Sequence, residues 1–167
     1  MAFVIEPLSK RHKRDDFDCG EPALNEYLKR HARQNQERDV GRSYVATRPD
    51  DLRVLGFYTL ASGAVAFERL PEQLQKKLPR YPLPVIHLAR LGVDLSARGE
   101  RLGETLLLDA LARALQISDL IGVHAVEVYA KTDAAKDFYL RYGFTSLPEN
   151  QLNLFLPMQT IRALMDR

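Results

Sequence analysis

Between Val85 and Gly103 a near-continuous apolar run passes through a loop with two glycines and opens directly onto a helix, which limits the chain more than any other feature. An apolar run without strict alternation, Val85–Val93, predicts a strand covered on both faces. After Asp94–Glu100, Leu107, Leu111 and Leu115 recur in register and predict a helix from Leu102 to Ile117. A buried strand that feeds a helix through Arg98-Gly99-Glu100-Arg101-Leu102-Gly103 sets unpaired amides and the positive end of a helix dipole where a phosphate can bind. Gly99 and Gly103 would let the backbone approach such a ligand, and Arg98 and Arg101 add charge. Taken alone, a Gly-x-x-x-Gly loop is also what an ordinary helix start contains.

Around this segment the periodicity predicts strands at Phe3–Leu8, Ser43–Thr47, Leu55–Ala61 and His124–Ala130, with Pro49-Asp50-Asp51 a turn. Helices are predicted over Pro22–Gln36, Glu72–Leu78 and Ala134–Tyr142. Gly143-Phe144 would start a last strand that pairs with Leu152–Leu156 as a terminal hairpin. Strand–helix alternation after a meander predicts an α/β fold, a mixed sheet flanked by helices. Its 167 residues fit a single domain, residues 1–167.

No apolar stretch approaches the ~20 residues that cross a bilayer, and the N-terminus turns acidic at Glu6 before a signal-peptide core develops. One cysteine, Cys19, leaves no intramolecular disulfide, so a cytoplasmic home without membrane partners is expected. His12, His31, His87 and His124 lie far apart without zinc-ligand spacing, so no metal is expected. Net charge is only +2, but basic residues cluster at Lys10–Arg14, Lys29–Arg42 and Lys76–Arg80. Such clusters are either solvated faces or a footprint for a polyanion.

The string from Val93-Asp94 through Arg98-Gly99-Glu100-Arg101-Leu102-Gly103 to Leu106-Leu107 resembles the acetyl-CoA motif of GNAT acetyltransferases, Gln/Arg-x-x-Gly-x-Gly/Ala. Arg98 takes its first position and Gly103 its last, while Arg101 stands where the middle glycine is usual. The resemblance implies that the amides of Arg98, Gly99, Glu100, Arg101, Leu102 and Gly103 bind the pyrophosphate. It also implies that Leu91, Gly92 and Val93 offer backbone groups to the pantetheine arm and thioester. Downstream, Ala134-Ala135-Lys136-Asp137-Phe138-Tyr139-Leu140-Arg141-Tyr142-Gly143-Phe144 resembles the family's Ala-x-x-Phe-Tyr-x-x-x-Gly-Phe signature, which implies that Tyr139 reaches the CoA sulfur as the catalytic acid. Phe138, Tyr142 and Phe144 read as core aromatics.

The N-terminal third, from Phe17-Asp18-Cys19-Gly20 through the Leu24–Leu28 helix to Gln34-Asn35-Gln36 and Gly41-Arg42-Ser43-Tyr44-Val45, resembles the toxin branch of that family in bacterial toxin–antitoxin pairs. That resemblance implies acetyl transfer to the α-amino group of aminoacyl-tRNA, which stops translation. The implied partner is an antitoxin with a ribbon-helix-helix DNA-binding portion. A homodimer through the terminal hairpin and Gln159–Met165 is also in keeping with the family. Lys29, Arg30, Arg33 and Arg42 are the first candidates for RNA phosphates and Arg90 a further one, each with ordinary surface charge as the alternative. An α-amine near pKa ~8 keeps a neutral fraction at neutral pH, so direct attack needs no strong base, and no carboxylate or histidine stands out as one. Cys19 reads as a small buried thiol rather than an acyl carrier. Two other readings share the cofactor residues: acetylation of a small-molecule or protein amine, and a non-catalytic acyl-CoA-binding module.

Overall fold

The computed structural model describes residues 2–166. In chain order the elements are β1 (Val4–Pro7), α1 (Pro22–Glu26), a π-helical turn (Tyr27–His31), α2 (Ala32–Glu37), β2 (Arg42–Thr47), β3 (Gly56–Val65) and α3 (Glu72–Gln75). They continue with β4 (Leu83–Val93), α4 (Leu102–Ser118), β5 (Ala125–Tyr129), α5 (Asp133–Arg141), β6 (Thr145–Leu147), β7 (Asn150–Pro157) and α6 (Met158–Met165). The strands form one seven-stranded sheet in the order β1-β2-β3-β4-β5-β7-β6. It is mixed: β4 and β5 are parallel, while β1–β2, β2–β3, β5–β7 and β6–β7 are antiparallel.

The expected mixed sheet and element order are present, with local differences: the single helix expected over Pro22–Gln36 is interrupted by the π-helical turn, the helix expected over Glu72–Leu78 ends at Gln75, and three others follow. β3 runs on to Val65 through Ala61-Ser62-Gly63, residues of low strand propensity that neighbouring strands hold extended. Gly143 and Phe144 belong to the exit turn of α5, their amides bonding back to the carbonyls of Leu140 and Tyr139, so β6 starts later. The reading of the sequence stopped at the hairpin and omitted α6, although Pro157 marks its start and Met158 and Ile161, three apart, are its buried residues.

The chain packs as two compact units, one of residues up to Ala61 with Ala89–Ala110, the other of Ser62–Leu88 with the residues from Leu111 on. In the first, Phe17, Tyr27 and Phe57 form the aromatic centre of a core that includes Cys19, Leu24, Leu28, Val45 and Val54. Phe17 meets Phe57 edge-on at 5.6 Å, and Tyr27 stacks on Phe57 at 6.5 Å. Gln36 closes this unit's edge: its Nε2 donates to the Leu8 carbonyl and its Oε1 accepts from the Ser43 amide, both at 3.0 Å. Gly56 lets the start of α4 lie against β3, because a Cβ there would stand 2.8 Å from Leu106 Cδ1 and 3.0 Å from Leu102 Cδ2. Tyr58, fully buried, donates its hydroxyl to Asp109 on α4.

The second unit has its own core of Val65, Leu70, Leu83, Val85, Ala125, Leu147 and Phe155, covered by Phe67, Leu74 and Leu78. α5 begins with Thr132, whose hydroxyl accepts from the Ala135 amide at 3.1 Å, and carries Asp133 in its first turn and Arg141 in its last.

Where β4 leaves the sheet, Asp94 is buried and its carboxylate gathers three donors. Oδ1 accepts from the Asp18 amide at 2.8 Å; Oδ2 accepts from the Ser96 amide at 3.0 Å and the Ser96 hydroxyl at 2.6 Å. Burial alone would raise its pKa, but the bonds from Ser96 and Asp18, with Arg53 Nη2 3.6 Å away, outweigh it and hold the carboxyl below the usual range. Asp94→Ala leaves buried donors unsatisfied and should cost at least about 1–3 kcal/mol in denaturant unfolding. Since the native pKa is the lower one, this stabilisation is complete above the unfolded value of ~3.9 and is lost as pH falls through the native value. The stability gap between wild type and variant should therefore close in acid; a constant gap down to pH ~2 would contradict this.

Candidate functional site

The phosphate-binding candidates lie in the first unit, on the turn between β4 and α4. A short 3-10 turn, Leu95–Ala97, leads from Asp94 to Arg98. Gly99 has φ +86° and faces open space, with nothing within 4 Å of where a Cβ would stand. Arg101 also lies in the left-handed region, φ +61°. That explains the glycine usual at this position: the backbone conformation favours it, and here arginine adopts it at some strain. The 17-residue α4 then starts at Leu102, its first amides without intrahelical acceptors. An exposed loop with two left-handed residues, facing open space and ending on a long helix, fits a pyrophosphate.

The side chains of this loop hold it rather than line it. Arg98 Nη2 donates 2.9 Å to the Cys19 carbonyl, tying the loop to the N-terminal segment. Glu100 forms a two-pronged ion pair with Arg48, at 3.0 and 2.8 Å, and bonding to that guanidinium lowers its pKa. Leu102 is buried in the α4 packing. Arg101 is exposed and, among the described residues, its side chain forms no ion pair. Upstream, Gly92 is buried where a Cβ would meet Cys19 Sγ and Phe57 Cε1 at 3.4 Å, and Leu91 and Val93 are half-buried. Cys19 is buried in the core, and burial pushes its thiol pKa up, which suits a packing role and opposes a nucleophilic one.

In the second unit Tyr139 is buried on α5, its ring edge-on to Phe138 at 5.2 Å and Phe144 at 5.3 Å. Burial pushes its phenol up to about 12. Of the aromatics read as core, Phe144 is buried, while Phe138 and Tyr142 are half-buried and meet edge-on at 5.2 Å.

The basic candidates have local partners. Arg30 pairs with Glu26, Arg33 with Glu37 and Arg42 with Asp39, all on the surface, and Lys29 is half-buried. Arg90 lies 3.6 Å above the centre of the Tyr27 ring. Sequence reasoning missed Arg48 and Asp94 as supports of the loop, because each acts on residues more than 50 positions away or across a turn it gave no signal for. Among the described residues no group of three or more His, Cys, Asp or Glu could hold a metal, and no helix is long and apolar enough to cross a membrane.

The sequence profile of the acetyltransferase (GNAT) domain matches residues 74–162. A tRNA-acetylating toxin of Mycobacterium tuberculosis is 42% identical over 149 residues, which cover 89% of this chain and 88% of that protein. Among solved structures, AtaT complexed with acetyl-methionyl-tRNAfMet is similar at TM-score 0.91 and 33% identity, over 98% of this chain and 99% of that one. A tyrosine-to-phenylalanine mutant of AtaT bound to the C-terminus of the antitoxin AtaR and acetyl-CoA is similar at TM-score 0.84 and 29% identity, over 100% of both chains. By profile, by sequence and by fold, the chain belongs to the GNAT acetyltransferases, in the branch of the tRNA-acetylating toxins.

Proposed function

We propose that this acetyltransferase moves the acetyl group of acetyl-CoA to the α-amino group of aminoacyl-tRNA, and so blocks translation as the toxin of a toxin–antitoxin pair. The observation that carries the reading is the likeness, along nearly the whole chain, to a toxin solved with acetylated methionyl-tRNA. The exposed left-handed loop before α4 supplies the matching chemistry on the cofactor side. In this reading the amides from Arg98 to Gly103 hold the pyrophosphate, and the backbone of Leu91, Gly92 and Val93 takes the pantetheine arm and the thioester carbonyl.

The α-amine attacks the thioester carbonyl directly, and Tyr139 gives its phenolic proton to the departing sulfur. A phenol near 12 is fully protonated at working pH, as an acid must be. A thiol of pKa ~8.5 is nevertheless the stronger acid, so the transfer runs uphill unless the cationic charge on the newly acylated nitrogen stands beside it.

The chain acts as one domain in the cytoplasm. Its antitoxin would carry a ribbon-helix-helix DNA-binding portion and block the toxin with its tail, and a second copy of the chain would meet the β6–β7 hairpin and α6. The surface ion pairs of Arg30, Arg33 and Arg42 favour one competing reading, a small amine as acceptor, because they neutralise part of the charge an RNA would use.

Labelled acetyl from acetyl-CoA should appear in RNA only when tRNA is aminoacylated; label confined to small amines would select the competing reading. Tyr139→Phe should bind acetyl-CoA as wild type by calorimetry while turnover falls by about 10²-fold. With Tyr139 protonated throughout, wild-type turnover should rise through the amine's ~8 and stay level to about pH 10. Unchanged turnover in the variant would remove Tyr139 as the acid. Reversing Arg33 and Arg42 to Glu should weaken tRNA binding and flatten its salt dependence, and equal affinity at low salt would take that surface out of the RNA site.

A further inference from the structure

The N-terminal motif Phe17-Asp18-Cys19-Gly20, with Asn25 five residues on, carries polar residues that neither core packing nor the family's cofactor motif accounts for. Every backbone polar group from the Asp18 amide to the Gly20 amide has a partner. On one side they face the turn between β4 and α4. The Asp18 amide donates to Asp94 Oδ1 at 2.8 Å, the Asp18 carbonyl accepts from the Leu95 amide at 2.8 Å, and the Cys19 carbonyl accepts from Arg98 Nη2 at 2.9 Å. On the other side they face polar side chains of their own segment. The Cys19 amide donates to Asn25 Oδ1 and the Gly20 amide to Asp18 Oδ1, both at 2.9 Å. Asn25 Nδ2 closes the set by donating to that same carboxylate oxygen at 3.0 Å. All of these residues belong to the first unit.

Asp18-Cys19-Gly20 is thus an adaptor, with the β4–α4 turn on one side and the Asn25 amide on the other. Asn25 lies in α1, which the core holds by Leu24, so its side chain passes a fixed position to the adaptor. Asp18 is exposed, and the bonds from the Gly20 amide and from Asn25 hold its carboxyl below the usual range and keep it ionised. A carboxylate on the segment that anchors a phosphate-binding loop repels the ligand. What Asp18 contributes there is geometry, at the expense of charge.

We propose that Asn25, together with Asp18, is a positioning residue for the diphosphate of acetyl-CoA, fixing Arg98 and the start of the loop through the Cys19 carbonyl and the Asp18 backbone. The proposal rests on the reading of that loop as the pyrophosphate site. Without the adaptor the loop is free to wander, and binding has to order it again. The effect falls on the diphosphate end of the cofactor and on no bond that the reaction makes or breaks. Loss of the network therefore raises the KM for acetyl-CoA and leaves kcat at saturation unchanged.

The test uses the full-length protein with two donors, acetyl-CoA and S-acetyl-pantetheine, which is the same thioester without the nucleotide and diphosphate. ADP serves as a calorimetric probe that carries a diphosphate and no thioester. Asn25→Ala and Asp18→Ala should each weaken acetyl-CoA and ADP by about 10-fold, with kcat and the acetyl-pantetheine rate as in wild type. Alanine is a better helix former than asparagine, so Asn25→Ala leaves α1 intact, and Asp18→Ala, at an exposed position, keeps the test open if it does not. Asp18→Asn keeps both accepted bonds and removes the repelling charge, so it should bind acetyl-CoA at least as tightly as wild type. A merely structural role would instead lower the rates with both donors together. Wild-type affinity in the alanine variants, an equal loss with acetyl-pantetheine, or Asp18→Asn as weak as Asp18→Ala would each overturn the proposal and leave the loop reading standing. Wild type that binds both donors equally and does not bind ADP would overturn the loop reading and the proposal with it.

Discussion

The carboxylate of Asp94 is where the geometry of the loop before α4 begins. β4 ends there, and a polar turn has to start inside a packed interior, which only a saturated acceptor makes tolerable. Through the Asp18 amide, Asp94 fastens the segment Phe17–Gly20 to the exit of the strand, and the Leu95 amide returns a bond to the Asp18 carbonyl. That segment supplies the Cys19 carbonyl that receives Arg98 and the Cys19 side chain that packs against Gly92. Farther along, Glu100 is held by Arg48 and Leu102 by Gly56. The loop is braced at both ends by the protein's own contacts, which lowers the ordering cost that binding there would carry.

The two kinds of polar structure in this chain have different energetics. The surface pairs of Arg30, Arg33 and Arg42 sit in water, where each is worth about 0–1 kcal/mol, so a polyanion can replace their carboxylates at small cost. The chain from Arg69 through Asn153 and Glu127 to His87 is mostly buried, and removing one partner strands the rest. That buried chain instead fixes the orientation of its members.

Arg101 shows how the strain in the loop is carried. Its left-handed backbone is the conformation that glycine adopts freely, and the side chain is retained at a cost of order 1–3 kcal/mol. The Thr105 amide and hydroxyl both bond to the Arg101 carbonyl, at 3.1 and 3.0 Å, so the first turn of α4 fixes the strained residue in place.

Local pattern in the sequence determined the order of elements along the chain, the β4–loop–α4 succession and the helix that bears Tyr139, because hydrophobic period and glycine placement are properties of neighbouring residues. Motif spacing pointed to acetyl-CoA for the same reason: the family motif is a run of consecutive residues. Even α6 was open to reading, from Pro157 and the spacing of Met158 and Ile161. The Asp94 bonds, the Arg48–Glu100 pair and the His87–Glu127–Asn153–Arg69 chain were not, since their partners lie from 26 to 84 residues apart where they cross between strands and segments. No period or spacing links such residues. Only the pairing of β4 with β5 and of β5 with β7 puts a histidine, a glutamate and an asparagine side by side.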